Sequence, residues 1–106
     1  SKANCSPEIC DWIDTYESTF GNMPNIGSAY GYMYMDITAK ALEIAGRDLT
    51  TDSFLNALES INDYKIPFGD TILSWSPEKH LGANVAYLFE VQNGAFMQID
   101  NKEYTY

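Results

Sequence analysis

The stretch from Pro24 to Gly46, PNIGSAYGYMYMDITAKALEIAG, decides how this chain is read. Apolar residues recur at Ile26, Tyr30, Met33, Ile37, Ala41 and Ile44, the three-and-four spacing of one helical stripe. That spacing predicts an amphipathic helix over about 27–45. Gly46 falls just past the last repeat, where a left-handed terminal residue is usually glycine. Three tyrosines alternate at Tyr30, Tyr32 and Tyr34. At 3.6 residues per turn they cannot share one face, so at least one points off the packed side, toward solvent, a ligand or a neighbouring domain. A tyrosine ring offers a flat apolar face and a hydroxyl, which suits closure over a small amphiphilic ligand. Ordinary packing between helix and loop is the competing use of the same rings.

Upstream, Ser6-Pro7-Glu8 reads as a helix start: a capping hydroxyl, a proline in the first helical position and an acid in the first turn. The helix is expected over about 7–20, with Cys10, Trp12, Ile13, Tyr16 and Phe20 inward and a stop at Gly21. Asp11, Asp14 and Glu17 fall on the other side, where a solvated acidic face is the expectation and a cation site the rival. Cys5 and Cys10 occupy the two positions that a hydrophobic staple brings together, so a short disulfide between them is a candidate. That bond implies an oxidising compartment; two free thiols in a reducing one are the alternative.

Downstream, Thr50 caps a third helix over about 51–61, with Leu49 and Phe54 as its staple and Phe54, Leu55, Leu58 and Ile61 as its buried stripe. Asn62 to Asp70, with Pro67 and Gly69, reads as a loop. The period then becomes strand-like. Strands are expected over about 71–75, 84–91 and 95–99, with a turn at Ser76-Pro77-Glu78-Lys79-His80 and a hairpin at Asn93-Gly94. Asn84 to Val91 is apolar on both faces, the pattern of a strand covered on both sides. The polar tail from Asp100 to Tyr106 is expected to fray. Three helices and three strands leave little to cover both faces of that central strand, so a larger body or a second copy is expected around it.

The 106 residues fit one domain, and 45% hydrophobic with 20% charged residues is an ordinary globular balance. A net charge of −9 argues against nucleic acid and anionic membrane surfaces, both of which demand a basic patch. No run approaches the ~18 apolar residues of a membrane span. The first residues carry no apolar core, so no secretory leader is expected within the chain; a mature secreted product or an excised fragment begins the same way.

Catalytic chemistry is not assembled. The single histidine, His80, lies in a polar turn, and no nucleophile elbow or glycine-rich phosphate loop is present. Glu78 and His80 make two metal ligands without a third, so a solvated turn is the better reading. Gly27 and Gly31 are expected to permit close approach of another backbone. No catalytic residue, cofactor or metal is expected, and recognition is what remains.

The order of segments then matters. Tyr16 to Gly21 gives Tyr-x-x-x-Phe-Gly, followed by Pro24, Ala29-Tyr30-Gly31-Tyr32 and Ala41-Leu42-Glu43-Ile44-Ala45-Gly46. Next come Leu49-Thr50-Thr51-Asp52-Ser53-Phe54, Ala57-Leu58, Phe68-Gly69-Asp70 and Ser76-Pro77-Glu78-Lys79-His80, and finally Tyr87-Leu88-Phe89-Glu90-Val91-Gln92-Asn93-Gly94. Over about residues 10 to 100 this order resembles the C-terminal portion of the extracellular solute-binding proteins of ABC transporters, the branched-chain amino acid (type I periplasmic binding protein) family.

The resemblance implies a two-lobed, Rossmann-like α/β fold whose chain crosses between lobes and binds ligand in the cleft. Chains of that family are several times longer. Residues 1–106 are thus implied to be a single segment, the C-terminal part of a larger solute-binding protein. The remaining N-terminal part would supply the groups that hold a ligand's carboxylate. In the family, a tyrosine near the start of the helix before the Ala-Gly stop lines the cleft. Counting back from Gly46 places Tyr32 there. Met33-Tyr34 stands where the family often has Asp-Ala, so Tyr30 is the fallback. The implied function is non-enzymatic capture of amino acids or similar small carboxylates, in the periplasm or outside the cell, free or lipid-anchored, for delivery to a membrane permease. A ligand-sensing receptor ectodomain, or an independent dimerising module of the same fold, is the alternative.

Overall fold

Ser6, Asn25 and Thr50 each set a side-chain oxygen over the start of a helix, and three helices follow from them. The computed structural model describes residues 5–69 and 71–105. In α1 (Pro7–Phe20) the Ile9 N–H donates to Ser6 Oγ at 3.4 Å, and Gly21 ends the helix at φ 73, a left-handed value that favours glycine. Cys5 and Cys10 are joined by a disulfide across this cap, with Cα atoms 5.6 Å apart. α2 (Ile26–Ala45) begins one residue before the expected start, because Asn25 and Ser28 form a reciprocal capping box. The Ser28 N–H donates to Asn25 Oδ1 at 3.1 Å and the Asn25 N–H to Ser28 Oγ at 3.3 Å. Gly46 has the positive φ expected of it, 75°, but a ψ of −163° that sends the chain onward extended. α3 (Thr51–Glu59) uses the same box between Thr50 and Ser53 and stops short of the expected 61, where the Ser60 hydroxyl turns back to the Ala57 carbonyl at 2.7 Å.

The core lies where α2 and α3 meet. Ile37, Ala41, Ala57, Ile61 and Tyr64 are buried together, with Met33, Phe54, Leu58 and Trp75 packed around them. Ala41 and Ala57, nearly or wholly excluded from water, carry side chains small enough for two helices to approach closely. The expected stripes are corrected in three places. On α1 Phe20, expected inward, is exposed, and Ile13 is the buried residue. On α2 only the middle of the stripe is covered, and Ile26, Tyr30 and Ile44 are exposed; on α3 Leu55 is exposed and Ala57 takes the buried place. Gly27 and Gly31 meet no neighbouring backbone among the described residues, so they do not serve a close approach here. Gly82 does: a Cβ there would stand 2.6 Å from the Trp75 ring.

The expected three-stranded sheet is replaced by short ladders. Among the described residues, β1 (Tyr64–Lys65) pairs with β2 (Ile72–Leu73), β3 (Val85–Ala86) with β6 (Tyr104–Thr105), and β4 (Phe89–Gln92) with β5 (Ala95–Gln98), all antiparallel. The strand expected over 71–75 is thus only its middle. The strand expected over 84–91 splits, because its first part pairs with the tail and its second with the hairpin partner. β1 arises inside the expected loop, pinned by the Asp63 N–H donating to Ser74 Oγ at 2.9 Å and the Trp75 N–H donating to the Ile61 carbonyl at 3.0 Å. The tail pairs instead of fraying: the Tyr87 hydroxyl donates to Glu103 Oε1 at 3.0 Å, and the Tyr104 hydroxyl to Asp100 Oδ2 at 3.1 Å. Asn93 and Gly94, at φ 51 and 79, make the tight turn that their dipeptide signals.

The both-sides cover expected for residues 84–91 is missing. Phe89, Val91, Phe96 and Met97 all stand open, Phe96 at 79% exposure. Accessible surface totals 7903 Å², against about 6,000 Å² for a compact monomer of this mass. The radius of gyration is 16.5 Å, where a compact chain of this length gives about 13 Å. Helices and hairpin therefore form a flat slab, 50 × 38 × 20 Å, rather than a closed globule.

Candidate functional site

β1 and β2 are joined by a loop that the Ile66 N–H closes onto the Thr71 carbonyl at 3.1 Å. Phe68 stands in that loop and meets Trp12 of α1 and Tyr32 of α2. The three rings meet pairwise near edge-on, with centroids 4.8 Å apart for Trp12 and Phe68, 5.7 Å for Trp12 and Tyr32, and 5.8 Å for Tyr32 and Phe68. Such pairs are worth about 0.5–1.5 kcal/mol each beyond their area, so the cluster fixes the loop against both helices.

A concavity of about 560 Å³ opens over this cluster, lined by Trp12, Tyr32 and Phe68, by Ile66, and by the charged Glu8 and Lys65. That is the size of a small-molecule site, apolar with a few polar groups at its edge. Glu8 lies one helical turn before Trp12 and so on the same face of α1. Its own backbone N–H, then the Ser6 hydroxyl and the charge of Lys65, hold its carboxyl below the usual range. Lys65 follows Tyr64 on β1, and strand alternation sends the two side chains to opposite faces. Tyr64 is buried against α2, where its hydroxyl donates to Asp36 Oδ2 at 2.7 Å and Lys40 Nζ lies 5.9 Å from its ring centroid. Burial first, and the Asp36 hydrogen bond and charge after it, push the Tyr64 hydroxyl pKa well up.

Tyr32 is brought to this concavity with 44% of its surface open. Tyr30 is not brought to the ring cluster; it stacks on Tyr34, centroids 6.1 Å apart, on an exposed part of α2. Glu78 and His80 are not brought together as a metal pair. His80 Nε2 lies 2.8 Å from Glu59 Oε1, and Glu78 accepts from the Ser76 hydroxyl at 3.0 Å. No cluster of metal ligands forms among the described residues. Sequence reasoning passed over Trp12 as helix core and Phe68 as part of a turn. The available signal was an aromatic beside Pro67 in a loop, where no sheet or helix face would bury it.

The family model described as periplasmic binding protein matches residues 3–95. The chain belongs to the periplasmic binding protein family. Its three helices followed by short strands fit a piece of that mixed α/β fold. Members of this family bind small solutes and are generally not enzymes. Neither curated proteins nor solved structures give a significant match to the chain. No helix among the described residues is long and apolar enough to cross a membrane.

Proposed function

We propose that the chain is the C-terminal segment of a larger solute-binding protein, and that it supplies one wall of an inter-lobe cleft. The wall is the concavity over Trp12, Tyr32 and Phe68, and the solute is an amino acid or a similar small carboxylate. The observation that carries this reading is the position of Tyr32, whose ring is packed on two neighbours yet half open to a space of ligand size. The open hairpin and the surplus surface support the larger parent, whose N-terminal part would cover them. In this reading the lobes close on the solute, which stabilises the closed state by its differential affinity, and the loaded protein delivers it to an ABC-transporter permease in the periplasm or at the cell surface.

The test is a thermal-shift screen of the full expressed protein against amino acids and aromatic acids, with Trp12 as a fluorescent reporter. A solute at 100 times its dissociation constant adds roughly 2.7 kcal/mol. No shift and no change in tryptophan emission across the panel would overturn the reading. One observation favours a second: the β4–β5 hairpin leaves Phe89, Val91, Phe96 and Met97 open, which suits a sensor ectodomain or module that pairs with another copy. A sedimentation mass of twice the chain, independent of solute, would mark that case.

A further inference from the structure

The first turn of α1 is tied twice, once by a hydrogen bond and once covalently. The Ile9 N–H reaches Ser6 Oγ at 3.4 Å. That lies outside the about 2.7–3.2 Å of a good N–H···O bond, so the cap holds the turn loosely. The Cys5–Cys10 disulfide spans the same turn and encloses residues 6–9 in its loop. Ser6, Glu8 and Ile9, all inside that loop, line the concavity. The contacts that seat α1 on the rest of the fold come from later turns. Trp12 meets Tyr32 and Phe68, Ile13 is buried, and the Ser28 hydroxyl donates to Tyr16 at 3.0 Å. A helix of 14 residues is marginal alone, so the order of its first turn depends on what ties it. Both cysteines are partly exposed, within reach of a reductant in solution.

We propose that this disulfide is a redox-sensitive strap on the concavity. Oxidised, it holds Ser6, Glu8 and Ile9 in place as the α1 rim; reduced, it lets that rim unwind while the Trp12 ring stays seated. Its effect on solute affinity rests on the solute-binding reading above, and its effect on the rim does not. The reductant is a dithiol. One of its thiolates attacks a sulfur of the bond, the S–S bond breaks, and the other cysteine leaves as a thiolate that takes up a proton. The reductant's second thiolate then displaces the first, and the remaining cysteine is released and protonated in turn. Cys5 and Cys10 end as two thiols and the dithiol ends as a disulfide, two electrons and two protons having passed to the protein. Exchange with an oxidised thiol in an oxidising compartment runs the same steps backward and restores the rim.

Hydrogen exchange read by mass spectrometry, on the full expressed protein before and after dithiothreitol, tests the strap. The N–H groups of residues 10–12 donate back into the first turn, that of Cys10 to the Ser6 carbonyl at 2.9 Å. Reduction is expected to speed their exchange about tenfold or more, with the buried stretch 37–41 of α2 unchanged and oxidised glutathione reversing the effect. Cys5→Ser with Cys10→Ser is expected to exchange at the fast rate and to ignore dithiothreitol, which separates this bond from any other cysteine in the protein. Cys5→Val with Cys10→Leu, an apolar staple at the same positions, is expected to regain part of the slow rate in either redox state. L-leucine and L-phenylalanine are titrated into both states, and the affinity of whichever binds is expected to fall about tenfold on reduction, the cost of re-ordering an open rim. Equal exchange in the oxidised protein and the double-serine variant would overturn the strap, and so would fast exchange spreading to 37–41. Faster exchange with undiminished affinity would overturn its role at the concavity and leave solute binding standing. If neither amino acid binds, the wider solute screen decides the solute-binding reading, and the exchange result still decides the strap.

Discussion

Replacing Tyr64 by phenylalanine removes one hydroxyl and leaves the ring in place, so its effect is readable from the contacts. That hydroxyl donates to Asp36 Oδ2 at 2.7 Å and ties β1 to α2 beside the buried core. A hydrogen bond to a charged group contributes about 1.5–3 kcal/mol. Asp36 is only half-buried and water can replace its lost partner, so Tyr64→Phe should cost about 1.5 kcal/mol near neutral pH. The cost should also depend on pH. The folded-state pKa of Tyr64 is raised, so the folded state keeps its proton where the unfolded chain loses it, above about pH 10. The stabilisation is complete below that pH and is lost as pH rises further. At pH 11 the unfolded tyrosine has gained about 1.4 kcal/mol from ionisation, which cancels nearly all of the contact. Urea unfolding curves for parent and variant should therefore differ by about 1.5 kcal/mol at pH 8 and converge near pH 11. The remaining tyrosines ionise alike in both proteins and drop out of the difference. A gap that stays constant from pH 8 to 11 would refute the buried Tyr64–Asp36 contact as its source.

Three smaller tests follow. Gly82→Ala should cost about 1–3 kcal/mol, because its Cβ would stand 2.6 Å from a Trp75 ring held against the core, and a wild-type denaturation midpoint would contradict that packing. Thr50→Ala removes the capping oxygen that holds the Ser53 N–H at 3.0 Å and should cost about 1 kcal/mol, recovered in large part by Thr50→Asn, with helical circular dichroism as the readout. Phe96→Lys should lower the melting temperature of the full expressed protein if another segment covers the hairpin, since the charge would then be buried. Unchanged melting would mean that this face stays in water, as its 79% exposure here has it.

What could be read from the chain was whatever local chemistry specifies. Ser6, Thr50, Gly21 and the Asn93-Gly94 turn act within a few residues of themselves, and the helix and hairpin positions followed from them. The strands failed where pairing is non-local. Val85 and Ala86 pair with Tyr104 and Thr105, and a polar tail carries no pattern that announces such a partner. The apolar alternation of residues 84–91 signalled cover on both faces, yet Phe89 and Val91 stand open, because pattern records what a face needs and not what lies beside it. At the site, the crowding of Tyr30, Tyr32 and Tyr34 says only that at least one of them leaves the packed face, and it is counting back from Gly46 under the family resemblance that picks out Tyr32. Its partners could not be picked out, since Trp12 lies 20 residues before it and Phe68 36 after, and only the fold brings the three rings together.

The most direct measurement is the affinity of the full expressed protein for its identified solute before and after Tyr32→Ala, by calorimetric titration. Tyr32 lies outside the buried core, so the variant should still fold; it loses two ring contacts and should melt lower than the parent, so the titration is run well below its own melting temperature. The account predicts at least about a tenfold loss of affinity, the equivalent of about 1.4 kcal/mol from the lost ring contact. An affinity unchanged by the substitution would contradict the placement of the solute over this aromatic wall.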